Sequence, residues 1–436
     1  MGSNRAEPPR GVSALVASFI VIANMVGTGV FTSLGFQVSA LPSPLAIMAL
    51  WVVGGLGALA GALCYGEIGA MMPRSGGEYH YLSRIYHPAV GFLAGWVSLT
   101  VGFAAPVALA AMALAAYASR LVALPHPTLM AAAVVVLISV IHTAGMKAGG
   151  RFQSLFTTAK ILLILAFSAL GFVLGHPQAL QWAPTAASLG LMASGSFAVS
   201  LVFVSYAYSG WNASAYIAGE MARPERDLPR SLILGTAVVM GLYLLLNVVF
   251  LRAAPMSELS GQIDVGNIAA RHLLGPTGAS LMGGLIALGL VSTISAMTWA
   301  GPRVAQVIGE DVPILRPLAM RNGGGAPYLA ILFQLILVLA MLATSSFEKI
   351  VTYLGFTLAL CTVLTVFGVF VLRVRSPEAP RPYRTWGYPV TPLVFLAING
   401  WMLVYLLLHQ PVQSLAGLGT ILAGVPLYFL AGTKKG

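Results

Sequence analysis

Hydrophobic positions along the chain gather into runs of about 20 residues, long enough to cross a bilayer as helices. Six fall near 13–40, 44–65, 89–120, 128–145, 152–175 and 191–217, and six more near 230–251, 277–300, 327–343, 348–373, 389–408 and 413–431. The strict apolar–polar alternation of a transmembrane β-barrel is absent. The pattern predicts an all-α integral membrane protein with twelve transmembrane helices in one continuous membrane domain. Composition agrees: 58% of the 436 residues are hydrophobic and 8% charged. A soluble domain carries about 25% charged residues, and so few charges cannot clothe a soluble core. That excludes a disordered chain, a secreted disulfide scaffold and a cytosolic enzyme. The two cysteines, Cys64 and Cys361, lie in apolar runs and read as packing residues.

The net charge of +11 would suggest nucleic acid in a soluble protein. Its distribution gives a different answer. With the N-terminus inside, 18 of the 23 basic residues lie in the cytosol, from Arg5, Arg10, Arg74 and Arg84 to Lys434 and Lys435. Four (Arg120, Arg252, Arg271 and Lys349) lie outside at helix ends, and one, Lys160, lies within a span. This is the positive-inside asymmetry of a multi-pass protein with both termini cytoplasmic, so no nucleic-acid partner is expected. The first span lacks a small-residue cleavage site and carries polar Asn24 and Thr28, unlike a signal peptide. The sequon at Asn212 lies inside a span and is read as chance.

Two spans are interrupted. Asn24-Met25-Val26-Gly27-Thr28-Gly29 places two glycines and a hydroxyl near the middle of the first, and Tyr206-Ala207-Tyr208-Ser209-Gly210-Trp211-Asn212 interrupts the sixth. Unwound backbone at membrane depth is tolerated only inside protein or along a cavity. Paired interruptions five spans apart point to the binding site of a transporter built from inverted repeats. The repeats would be helices 1–5 (13–175) and helices 6–10 (191–373), with helices 11–12 (389–431) appended.

These residues resemble a known family. Gly27-Thr28-Gly29-Val30-Phe31 is similar to the first-helix signature of the amino acid–polyamine–organocation superfamily. Pro73-Arg74-Ser75-Gly76-Gly77-Glu78-Tyr79 is similar to its loop after helix two. The run Ala207 to Asn212, then Glu220 and Pro224 to Arg230, resembles the L-type amino acid transporters, as does Arg381 to Pro389 before helix eleven. The resemblance covers nearly the whole chain.

It implies a transporter working by alternating access, with Met25, Gly27, Thr28, Gly29, Tyr206, Ala207 and Ser209 as the substrate-binding residues. The N–H groups of the second half-helix would receive the substrate carboxylate. The carbonyls of Met25, Tyr206 and Ser209 would receive its ammonium, and Tyr206 would lie over it as an aromatic gate. Animal light chains of this group carry a cysteine between helices three and four that bonds a heavy subunit. Residues 121–128 contain none, so no disulfide-linked heavy subunit is expected and the chain reads as a stand-alone prokaryotic form in the cell (inner) membrane.

Lys160 stands nine residues beyond Arg151, roughly 13 Å into its span. A charge so deep costs roughly 2.5–3.5 kcal/mol and is normally functional or paired. The resemblance puts it where a sodium ion sits in related sodium-coupled transporters, reaching helix one near Gly27 and Ser292, Thr293 or Ser295 of helix eight. It either stays charged as a strut, suiting sodium-independent exchange, or releases its proton, suiting proton symport. No carboxylate lies deep in any span, which favours a neutral L-amino acid over a cationic one or a polyamine as substrate, with cationic antiport as the alternative. Glu78 with Arg74, and Glu220 with Arg226 and Arg230, are expected to form cytosolic ion pairs. The seven histidines show no metal-ligand spacing, and neither metal nor cofactor is expected. A membrane enzyme would need clustered His, Cys or carboxylates at depth, and a channel would need polar stripes along several helices. Neither is present in the sequence.

Overall fold

The computed structural model describes residues 11–122, 125–144, 150–174, 178 and 180–430, without the side chains of 150–154 and 156. Arg5, Arg10, Lys147, Lys434 and Lys435 lie outside these residues, as does the side chain of Arg151. The helices in chain order are α1 (Ala14–Met25), α2 (Gly29–Ala40), α3 (Pro44–Met71), α4 (Gly77–Ile85), α5 (Pro88–Val97), α6 (Ala104–Ser119), α7 (Pro127–Thr143) and α8 (Gly150–Val173). There follow α9 (Ala186–Met192), α10 (Gly195–Tyr208), α11 (Pro224–Ala253), α12 (Met256–Leu259), α13 (Val265–Asp311), α14 (Tyr328–Thr344), α15 (Phe347–Arg375), α16 (Val390–His409) and α17 (Pro411–Leu430). Among the described residues no β-strand forms beyond one isolated bridge, Val12 with Met221.

Among the described residues, seven spans are long and apolar enough to cross a membrane unbroken. Two more become spans if bent pairs are counted: α1 with α2, bent by 43°, and α9 with Gly195–Glu220, bent by 60°. Pro127–Thr143, Thr157–Val173 and Tyr328–Thr344 are shorter apolar helices. The span Pro88–Ser119 contains a third irregularity that its sequence pattern did not announce, a π-helical turn at Ser98–Gly102. Gln334 Nε2 lies 3.3 Å from the carbonyl oxygens of both Phe103 and Met297. It thus ties the end of the π turn to α13.

The outer faces of the bundle present exposed Leu129, Leu137, Leu281 and Phe429, the side chains a lipid environment accepts. Inside, small residues let helices approach closely: α6 buries Ala104, Ala105, Ala108, Ala110, Ala111 and Ala113. The most extensive helix contacts are α3 with α11 and α6 with α13.

Polar clusters close both ends of the bundle. At the end carrying most of the described arginines, Glu67 is 1% exposed on its side chain and pairs with Arg373 at 2.7 Å and with Arg381 at 3.4 Å. It also accepts the Thr385 N–H at 2.7 Å. The Arg381 guanidinium donates to the carbonyls of Leu372, Ser376, Pro377 and Ala379, satisfying the frayed end of α15. At the opposite end Arg120 grips Asp264 through two hydrogen bonds, of 2.7 and 3.2 Å. That contact raises the Arg120 pKa above its ordinary value.

Glu67→Ala leaves two part-buried arginines without their carboxylate. It is expected to destabilise the fold by about 3–5 kcal/mol, read as a lowered melting temperature and a smaller monodisperse fraction in detergent.

Candidate functional site

Each interrupted span stops its hydrogen-bond ladder for a local reason. After Met25 the chain leaves the helical region at Val26 (φ −73°, ψ 82°), and the Gly27 N–H turns back 2.8 Å to the Met25 carbonyl. After Tyr208 it leaves at Ser209 (φ −54°, ψ 145°) and turns through Gly210 at φ +93°. That φ favours glycine strongly, and a side chain there would also meet Asn24 at 2.9 Å. In return, a Cβ on Gly29 would stand 2.4 Å from the Ala207 Cα. The two breaks are therefore pressed together, each glycine admitting the backbone of the other span.

Two side chains from elsewhere reach the broken ends. The Tyr243 hydroxyl, from α11, lies 2.5 Å from the Met25 carbonyl oxygen and 3.1 Å from that of Ala207. Its single proton is thus shared between the last turns of α1 and α10. The rings of Trp51 and Tyr208 hold it at centroid distances of 5.6 and 5.2 Å. Lys160, from α8, is 8% exposed. Its Nζ donates to the Val26 carbonyl at 3.2 Å and to Thr293 Oγ1 at 2.9 Å. Among the described residues no carboxylate pairs with it. The ammonium instead caps the C-terminal end of α1, where the helix dipole favours positive charge. A Cβ on Gly289 would lie 3.5 Å from the Lys160 Cε, in ordinary contact with the lysine stem.

Of the three helix-eight hydroxyls expected at Lys160, one is there. Successive helical residues are turned by about 100°, so Ser292 and Ser295 share a direction that Thr293 does not. Ser295 Oγ pairs with His142 Nε2 at 3.0 Å, and Ser292 Oγ is buried without a partner among the described residues.

The expected ammonium acceptors also divide. The Met25 carbonyl is engaged by Gly27 and Tyr243, and that of Tyr206 by the Ser209 N–H and hydroxyl at 3.0 and 2.7 Å. The Ser209 carbonyl meets no donor among the described residues. Neither do the N–H groups of Thr28, Gly29 and Val30 meet an acceptor. Three consecutive unpaired N–H groups at the start of α2 form the kind of terminus that attracts a carboxylate.

Tyr206 is buried beside this terminus and meets the Phe347 ring edge-on at 6.3 Å. Beyond it Phe36 stacks between Phe203 at 5.2 Å and Phe347 at 5.6 Å. The crevice beside Gly27, Phe31, Lys160 and Thr293 holds about 10 Å³, room for at most one water.

Comparison with known proteins decides the family. Residues 12–430 match the amino acid permease family. The chain belongs to that family. The permease is 30% identical to the human large neutral amino acids transporter small subunit 2, over 96% of its own length and 80% of that protein. It is 28% identical to the mouse Asc-type amino acid transporter 1, over 98% and 82% of the two chains. It is also 28% identical to the serine/threonine exchanger SteT of Bacillus subtilis (strain 168), over 97% of each chain.

Two expected ion pairs do not form among the described residues of the permease. Glu78 accepts hydrogen bonds from Tyr65, Asn212 and Tyr216 rather than pairing with Arg74. Glu220 has no partner in Arg226 or Arg230. Its carbonyl instead accepts the Val12 N–H, which joins the start of the first span to the end of the sixth. Charge complementarity suggested both pairs, but buried neutral donors of the right geometry take the place of the arginine at Glu78, and Glu220 is exposed, where a flexible ion pair gains little.

Sequence reasoning passed over Tyr243. The only signal for it was a polar-tipped ring, four residues before Asn247, in an otherwise apolar span.

Thr293→Val removes one of the two acceptors of Lys160 and is expected to destabilise the protein by about 1–3 kcal/mol. Ser292→Ala, which removes only an unpaired hydroxyl, should be neutral or slightly stabilising. Thermal unfolding of the two variants beside the parent in one detergent checks the difference.

Proposed function

We propose that the permease carries neutral L-amino acids across the membrane by sodium-independent alternating access, as an exchanger. The observation that carries this reading is the joined pair of breaks, with the N–H groups of Thr28, Gly29 and Val30 on one side and the Ser209 carbonyl on the other, none of them paired among the described residues. A zwitterion presents the complementary carboxylate and ammonium. In this reading Gly27, Thr28 and Gly29 cradle the carboxylate, with the Val30 N–H beside them. Ser209 receives the ammonium, Tyr206 covers the substrate, and Met25 and Ala207 belong to the walls through Tyr243.

Sodium independence rests on Lys160. Its ammonium engages a backbone carbonyl and a hydroxyl, the oxygen ligands a hard cation would require. A resident positive charge leaves no reason to recruit another. The names of the relatives support the substrate class: large neutral amino acids, and serine and threonine.

Architecture and orientation belong to the same proposal. Counting the seven long spans, the two bent pairs and the three shorter apolar helices gives twelve crossings, since about 17 residues suffice to span. A five-plus-five inverted repeat, 13–175 and 191–373 followed by 389–431, is supported by α3 packing on α11 and α6 on α13. A pseudo-two-fold axis sets equivalent helices against each other in that way. The end with Glu67, Arg373 and Arg381 is assigned to the cytosol, as are both termini. With Cys64 and Cys361 as the only cysteines, both in apolar spans, the chain works without a disulfide-linked heavy subunit.

Labelled serine, threonine, leucine and arginine offered to proteoliposomes test the proposal. Uptake of the neutral amino acids should require a neutral amino acid inside and be indifferent to sodium. Uptake into empty vesicles driven by external acid would make the protein a proton symporter, and preference for arginine would overturn the substrate class. Lys160→Ala should lower exchange about ten-fold or more, the equivalent of a charge-assisted hydrogen bond of about 1.5–3 kcal/mol.

A further inference from the structure

The sequence motif Pro73 to Tyr79 carries a buried carboxylate that the transport reading leaves without a task. Glu78 is 5% exposed, and among the described residues no lysine, arginine or histidine lies within ion-pair distance of it. Its Oε1 accepts from Tyr65 Oη at 2.8 Å and from Asn212 Nδ2 at 2.5 Å, while Oε2 accepts from Tyr216 Oη. All three donors are neutral. Tyr65 belongs to α3. Asn212 and Tyr216 lie just beyond Gly210, in the short 3-10 helix Ala213–Glu220 and the residue before it. Ser75 of the same loop accepts the Gly219 N–H at 3.1 Å, so the loop clasps this half-helix at two points.

We propose that Glu78 is the positioning residue of the second half of the sixth span, a cytosolic latch that holds this half-helix closed against α3. The inference rests on the transport reading for what the latch serves, and on the cage alone for its existence. An ionised carboxylate has lone pairs enough to accept three hydrogen bonds, whereas an amide places two N–H donors on one side. The balance of forces suits a latch that must also open. A buried carboxylate without a cation is costly to keep from water, and its three donors offset that cost. When the half-helix swings away, the carboxylate regains hydration as it loses Asn212 and Tyr216. The closed state is therefore held only marginally. The edge of Trp211 on the Tyr65 ring, at 4.7 Å, ties the same contact to the residue next to Gly210, so the latch acts directly on the break.

A native thiol reports on the latch. Cys361 of α15, partly buried, lies within electrostatic range of both Glu78 and Tyr216, and the latch predicts that opening of this half-helix exposes it further to the cytosolic side. In a Cys64→Ala background it is the one thiol left. Inside-out vesicles bearing this protein are treated with a membrane-impermeant maleimide, with Glu78→Gln and Tyr216→Phe as variants. Tyr216→Phe removes a single hydroxyl and keeps the ring, so it remains informative if Glu78→Gln folds poorly. Both variants are expected to label Cys361 about five-fold faster than the background protein, the effect of one lost hydrogen bond. Their KM for external amino acid should rise while that for internal amino acid does not, because a smaller fraction of carriers faces outward. A residue that only stabilises the fold would lower the melting temperature without this asymmetry. Equal labelling rates in folded variants, or a symmetric change in both KM values, would overturn the latch. Failure of the background protein to exchange neutral amino acids would instead overturn the transport reading, leaving the labelling result to judge the latch.

Discussion

A backbone that stops being helical inside a membrane must find partners for its polar groups within the protein, because lipid offers none. The rest of this structure follows from how that demand is met. Neither interrupted span meets it alone. Gly29 admits the backbone at Ala207 and Gly210 admits that at Asn24, so the two breaks lie face to face. Tyr243 then serves the carbonyl ends of both first half-helices with one hydroxyl. Of the groups that find no partner among the described residues, the N–H groups of Thr28, Gly29 and Val30 and the Ser209 carbonyl have the polarity of an amino acid's two charged ends in reverse.

Lys160 meets the same demand with a charge. An isolated ammonium at this depth is expensive, and no carboxylate compensates it among the described residues. It is held by the Val26 carbonyl, at the negative end of the α1 dipole, and by a threonine that itself donates to Gly289 at 3.1 Å. Three elements, α1, α8 and α13, converge on that nitrogen. The charge therefore couples the position of the first break to the helices around it. The polar clusters at the two ends act differently. Arg120 with Asp264, and Glu67 with Arg373 and Arg381, pair full charges and fasten elements together. Among the described residues, Glu78 is held by neutral donors alone.

Much of this was legible in the sequence, for stated reasons. Long apolar runs announce membrane helices whatever their packing, and glycines beside hydroxyls in such runs announce breaks. A lone lysine in a span is conspicuous because lipid tolerates so few. Illegible were the features that depend on which way a side chain faces after the chain has folded. Ser292, Thr293 and Ser295 look equivalent in a string, and only their angular spacing on α13 sends one to Lys160 and another to His142. Arg74 stands close to Glu78 in sequence, yet the donors that reach it come from residues 65, 212 and 216. Tyr243 resembled any interfacial or packing tyrosine until two carbonyls from distant segments converged on it. The π turn at Ser98–Gly102 left no glycine or proline signature strong enough to separate it from helix.

The most direct measurement of the central claim is an experimental structure with a neutral amino acid bound, serine or leucine at saturating concentration. The account predicts the substrate carboxylate within hydrogen-bond distance of the Thr28, Gly29 and Val30 N–H groups. Its ammonium should turn toward the Ser209 carbonyl, with Tyr243 still joining Met25 and Ala207. A substrate bound away from both breaks, or one whose carboxylate sits instead on Lys160, would contradict it.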